Sequence, residues 1–156
     1  MSSVPDEAVA GLTLLATKLY IPRWRSGLVS RPRLIAQLRQ EAERKLTLVT
    51  APAGFGKTTL LAEWLAETSG SEPSAGWVSL DPGDNDPGIF WAYVIAAVDR
   101  VRPGIGANAL ALLESARPPG IEAILATLIN DIAGDEHEIA LVLDDVHVID
   151  AQPAPL

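Results

Sequence analysis

No cysteine occurs in the 156 residues, which excludes disulfides, thiolate nucleophiles and cysteine metal sites and fits a reducing compartment. Histidine is scarce too. His137 and His147 are the only two, and they cannot make a zinc site by themselves. No apolar run approaches membrane-spanning length, and Asp6 and Glu7 stand where a signal peptide would carry positive charge. Residues 1–28 therefore read as the lead-in segment of a cytoplasmic protein with no membrane partner. Basic residues are outnumbered, 12 Lys and Arg against 20 Asp and Glu, for a net charge of −8. The imbalance is local: residues 1–57 carry +5 and residues 58–156 carry −13. An acidic chain neutralises phosphate backbones poorly, so any DNA contact must lie elsewhere. The basic stretch from Lys18 to Lys45 reads as a solvated face. What the chain does have is 48% hydrophobic and 21% charged residues, the composition of a globular domain with a core.

The most informative stretch is Thr47-Leu48-Val49-Thr50-Ala51-Pro52-Ala53-Gly54-Phe55-Gly56-Lys57-Thr58-Thr59-Leu60. An apolar, β-prone run enters a glycine turn that ends in Gly-Lys-Thr before a helical pattern, which is the form of a phosphate-binding loop. Backbone N–H groups of such a turn converge on an anion, and the following helix adds its positive dipole end. ATP with Mg²⁺ is the expected ligand. Ala53, Gly54, Phe55, Gly56, Lys57, Thr58 and Thr59 are the candidate binding residues, with Lys57 reaching the β- and γ-phosphates and the Thr58 hydroxyl ligating the metal. Ala51 departs by one methyl group from the usual glycine at its position.

Around this loop the chain alternates. Lys18-Leu19-Tyr20-Ile21-Pro22 reads as extended, because the residue before proline is pushed out of the α region. Ser30 caps a helix with Pro32 in its first turn and Leu34, Ile35 and Leu38 on one face, and that helix feeds the strand 47–50. A second helix follows the loop through Leu60, Leu61, Trp64 and Leu65. Gly76-Trp77-Val78-Ser79-Leu80 reads as a buried strand, with a turn at Asp81-Pro82-Gly83-Asp84-Asn85. Asp86 and Pro87 open a helix carrying Phe90, Trp91, Val94, Ile95 and Val98, stopped by Arg102-Pro103-Gly104. A shorter helix spans 108–116, and another runs from Ile121 to Gly134. Ile139-Ala140-Leu141-Val142-Leu143 is then a continuous apolar strand, a type that belongs to parallel sheets covered on both faces. The fold class is α/β: a three-layer P-loop NTPase sandwich with a mostly parallel sheet.

That last strand delivers Asp144 and Asp145 at its C-terminal end, where ligands of open α/β sheets bind. Asp144 is the second candidate metal group beside Thr58, and Asp145 the candidate catalytic group acting on water. Asp145 has an alternative role as a loop cap. His147 reads as a hydrogen-bonded structural histidine and His137 as a turn residue. Trp24, Trp64, Trp77 and Trp91 read as packing groups.

Five segments in order, Leu15 to Pro22, Leu28 to Leu34, Ala51 to Leu60, Trp77 to Pro87 and Leu141 to His147, resemble the N-terminal ATPase region of large ATP-binding LuxR-type transcriptional regulators, the maltose-regulon activator kind. The Ala-Pro-Ala-Gly form of the loop is habitual there. The resemblance implies a signal-transducing ATPase that binds ATP, self-associates and reaches promoter DNA through a C-terminal helix-turn-helix, with weak ATP hydrolysis in the full-length protein. It implies that Arg31 lies in a segment closing over the nucleotide. Such regulators are several times longer, so the chain is expected to be a fragment, a partial P-loop NTPase domain over 29–150 with a tail at 151–156, inactive alone and truncated after the Asp-Asp strand. A P-loop kinase acting on a small molecule is the alternative, but only Arg100, Arg102 and Arg117 follow Lys57 as basic residues for a lid.

Overall fold

A computed structural model describes residues 13–23, 27, 29–41, 44–68 and 75–150. They divide into two units, one made of the N-terminal residues to Tyr20 with Ala75 onward, the other of Ile21–Ser74.

The first unit is built on two parallel strands, β1 (Ala75–Ser79) and β2 (Ala140–Asp144), in register from Ala75 opposite Ala140 to Ser79 opposite Asp144. Three helices accompany them: α3 (Pro87–Val101), α4 (Ala107–Leu113) and α5 (Ile121–Ala133). Asp86 caps α3 as its sequence requires, its Oδ1 accepting from the Ile89 N–H at 3.0 Å, and Pro87 occupies the first turn. Helix α3 lies very close to β1. A Cβ at Gly76 would stand 2.7 Å from the Ala97 carbonyl oxygen, so this strand position accepts only glycine at this spacing. Trp77 is buried next in the strand, and Val78 forms one core cluster with Leu19, Leu80, Tyr93 and Ala97. A second cluster, Ile95, Ala109, Ile124 and Leu128, joins α3, α4 and α5.

Several expectations change here. Residues Ala16–Leu19 form a 3₁₀ turn, so Lys18 and Leu19 are not extended, whereas Tyr20 after them is. The reason is visible in its contacts: Leu19 is drawn into the core and Lys18 into a carboxylate cluster. Strand β2 is not covered throughout, since Ala140 and Leu141 are exposed and only Asp144 at its far end is buried. With β1 on one side and no other ladder partner, the sheet has two strands among the described residues, and a full three-layer sandwich is not shown. The mixed α/β character and the parallel pairing are as expected. Helix α4 is shorter than the 108–116 expected from sequence, ending at Leu113 before the turn at Glu114.

The second unit pairs α1 (Pro32–Glu41) with α2 (Lys57–Thr68). Buried Ile35 on α1 and Leu60, Ala62 and Leu65 on α2 supply the apolar face, and Arg39 Nη2 reaches Glu67 Oε2 at 2.6 Å. Helix α1 begins one residue later than read from sequence. Arg31, not Ser30, is its cap residue, its carbonyl accepting from the N–H groups of Leu34 and Ile35 at 2.9 and 3.0 Å. The strand expected at 47–50 is absent. A strand exists only through a ladder, no described residue pairs with this run, and Leu46 and Leu48 are 83% and 79% exposed. Trp24 and the tail at 151–156 lie outside the described residues.

Candidate functional site

The candidate phosphate loop is a reverse turn closed by the Phe55 N–H donating to the Pro52 carbonyl at 3.3 Å. Gly54 and Gly56 both adopt left-handed backbone, φ +80° and +76°, where a side chain would strain the turn. Helix α2 starts directly at Lys57, so Lys57, Thr58 and Thr59 form its first turn. Ala53, Gly54 and Phe55 are exposed, and Gly56 through Thr59 half-buried.

Two cations sit on this loop. Lys57 Nζ donates to the carbonyls of Ala51 and Pro52 at 2.8 and 3.3 Å, and Arg31 Nη1 donates to the Phe55 carbonyl at 2.7 Å. The Arg31 guanidinium lies over Gly56, with Nη2 3.4 Å from where a Cβ would be. A side chain at 56 would press on it. Among the described residues neither cation pairs with a carboxylate, in a chain whose net charge is −8. A neutral carbonyl is a weaker partner for a cation than an anion is. Both charges are held in place by carbonyls, without an anionic partner among the described residues.

The carboxylates belong to the other unit. Asp144 closes β2 and is buried, its Oδ1 accepting the Asp145 N–H at 3.1 Å. Asp145 follows in left-handed backbone at φ +59°, a conformation aspartate tolerates better than most residues. A 3₁₀ turn, Val146–Val148, comes next, and the Asp145 side chain makes no capping hydrogen bond to it. The role of side-chain cap is thereby removed, while the Asp145 carbonyl accepts from Val148 N–H at 3.0 Å. His147 does not fit the expected structural role: its ring is largely exposed, and Nδ1 stands 3.8 Å from Asp145 Oδ1. His137 is a turn residue as read, its backbone N–H and Nδ1 both 2.8 Å from Asp135 Oδ1. That pairing, the backbone N–H first, holds the Asp135 carboxyl below its usual pKa. Among the described residues no group of three His, Asp or Glu side chains is placed to hold a metal without other donors.

Sequence reasoning missed a cluster at the carboxyl end of β1. Lys18, read as part of a solvated basic face, is instead 12% exposed, with Nζ 2.7 Å from Asp81 Oδ2 and 2.7 Å from Asp84 Oδ1. Nζ also lies 4.8 Å from the centre of the Tyr93 ring. Burial works to depress the Lys18 pKa, but the hydrogen bonds to Asp81 and Asp84 outweigh it and the pKa is raised. Lys18, then the Gly83 N–H, holds Asp81 below the usual carboxylate range. The available signal was the spacing Asp81-x-x-Asp84, a reciprocal capping pattern around the 3₁₀ turn Pro82–Asn85.

No family model matches the chain. Over 136 residues, 87% of its length, it is 35% identical to the HTH-type transcriptional regulator MalT of Cronobacter sakazakii and 38% identical to that of Serratia proteamaculans. The MalT regulator of Yersinia enterocolitica matches at 35% over the same share. Its relatives are MalT-type regulators. The chain spans only 15% of the length of these relatives, consistent with an N-terminal region of MalT-like regulators. Among the described residues no helix is long and apolar enough to cross a membrane.

Proposed function

We propose that the chain is the ATP- and magnesium-binding portion of a signal-responsive, cytoplasmic transcriptional regulator, a nucleotide-dependent switch whose DNA contact and self-association involve other parts of the full-length protein. The observation that carries this reading is the loop with its two cations: Lys57 and Arg31 bonded to carbonyls alone, over a turn of left-handed glycines at the start of α2. Phosphate oxygens are stronger acceptors than those carbonyls, so both cations would exchange onto them, and the first-turn N–H groups of α2 would add donors. The relatives' description as HTH-type transcriptional regulators supports the regulatory setting. Mg²⁺ would supply charge neutralisation on the phosphates, and Thr58 and Asp144, each in its own unit, are the candidate residues to hold it. Asp145 orients or deprotonates the attacking water, giving slow hydrolysis that ends the active state.

Calorimetric titration of the full-length protein with Mg-ATP tests it. Lys57→Ala should weaken binding at least tenfold by removing a charge-assisted phosphate contact, and Arg31→Ala should weaken it less. Asp144→Ala should impair both affinity in magnesium and turnover. Asp145→Asn should keep affinity and lose turnover, and should raise promoter activation by prolonging the ATP-bound form.

A further inference from the structure

At the carboxyl end of the paired strands, one side chain spans two turns. The Asn85 carboxamide ends the turn after β1, donating from Nδ2 to the Pro82 carbonyl at 2.9 Å and to the Val148 carbonyl at 3.2 Å. Its Oδ1 accepts the Asp150 N–H at 2.7 Å. It thus holds the segment after Asp145 by two bonds of opposite sense, which a carboxamide satisfies and neither a carboxylate nor an alkyl group does.

We propose that Asn85 is a positioning residue for Asp145, setting the direction of that carboxylate by fixing the backbone turn that follows it. The inference rests on the reading of Asp145 as the group that acts on water. Four observations lead there. Asp145 stands in left-handed backbone with no capping bond from its own side chain, so the turn on either side of it decides where the carboxylate points. That turn is only Val146–Val148, closed by two backbone bonds, Val148 N–H to the Asp145 carbonyl at 3.0 Å and Ile149 N–H to the Val146 carbonyl at 3.1 Å. So short a 3₁₀ turn needs support from outside. Val148 and Ile149 pack against the core cluster of Leu19, Leu80 and Tyr93, and Asn85 supplies the polar half of that support.

Asn85 is itself held from behind. Its turn is closed by the reciprocal pair Asp81 and Asp84: Gly83 N–H donates to Asp81 Oδ1 and Asp81 N–H to Asp84 Oδ2, each at 2.8 Å. Lys18 bridges the two carboxylates, and the Leu15 N–H donates to the Tyr93 hydroxyl at 3.0 Å, tying the N-terminal turn to the same place. A charged knot therefore sets Asn85, and Asn85 sets the turn behind Asp145. Asp144 is fixed separately by the strand ladder, its carbonyl accepting the Leu80 N–H at 3.1 Å. Loss of Asn85 should therefore separate turnover from nucleotide affinity.

The experiment uses the full-length protein as wild type, Asn85→Ala, Asn85→Asp and Asp145→Asn. It measures Mg-ATP affinity, single-turnover hydrolysis, amide exchange at 146–150 and thermal melting. Asn85→Ala should slow hydrolysis about tenfold or more while affinity stays within about twofold, with faster exchange confined to 146–150. Asn85→Asp keeps the acceptor for Asp150 and loses the donor to Val148, so it should fall between; it carries the test if Asn85→Ala loses its melting transition. Unaltered hydrolysis in both Asn85 variants, where Asp145→Asn abolishes it, overturns the positioning role and leaves the functional reading standing. A wild type that turns over no ATP overturns the functional reading, and exchange at 146–150 then decides whether Asn85 holds the turn: no change on Asn85→Ala overturns that as well.

Discussion

Lys18 in one unit and Lys57 and Arg31 in the other are held in opposite ways. In the unit around the two-stranded sheet, Lys18 is enclosed by two carboxylates and an aromatic face, a cation committed to structure. In the unit of the glycine loop, Lys57 and Arg31 rest on neutral carbonyls beside an exposed turn. Two runs differ in their apolar groups as well: Trp77 and Val78 on β1 are buried, whereas Leu46 and Leu48 before the glycine loop face solvent. Neither loop cation has a carboxylate partner among the described residues, and in the proposed reading a phosphate would take that place.

Substitutions break this comparison by different amounts, and equilibrium unfolding in urea reads the first four. Trp77→Ala empties a site that is 1% exposed and should cost about 4 kcal/mol, with the loss in the sheet unit. Lys18→Met keeps the stem and strands two carboxylates, one of them buried Asp84; about 3 kcal/mol is expected, the low end for a broken buried pair because Asp81 is half-exposed. Removal of the Asp86 cap in Asp86→Ala should cost about 1 kcal/mol. Leu48→Ser should stay within about 0.5 kcal/mol, since no core depends on that side chain. A Leu48→Ser loss comparable to that of Trp77→Ala would erase the distinction between the exposed run before the loop and buried β1.

The Lys18 knot also sets a pH window. Asp81 has a lowered pKa in the folded chain, so its contribution is present above the usual carboxylate value and is lost as pH falls through the lowered one. The Lys18 pKa is raised, so its contribution is complete below the usual lysine value of 10.5 and disappears as pH rises through the raised one. Amide exchange at residues 15–19 should be slow between about pH 4 and pH 10 and faster on both sides. Exchange independent of pH beyond the intrinsic chemical rate would show that the knot does not hold this turn.

Much of the fold was legible where sequence signals are local. Asp86-Pro87 opened α3, Gly134 followed α5, and the glycine turn led into α2. The strand at 47–50 was misread because strand formation depends on a partner elsewhere, which periodicity does not report. The same limit hid the Lys18 knot. Its partners are more than 60 residues away, and nothing near Lys18 in the chain distinguishes a buried ion pair from a solvated face. Of the candidate site, the loop residues could be named from spacing alone, whereas the placement of Arg31 over Gly56 and the grip of Asn85 on the turn after Asp145 required coordinates.

The central claim is that the loop's cations are there for phosphate, and Mg-ATP affinity of the full-length protein with and without the Lys57 ammonium tests it most directly. Wild type should bind, and Lys57→Ala should bind at least tenfold more weakly while melting at an unchanged temperature. Equal affinity in the two proteins would contradict the account.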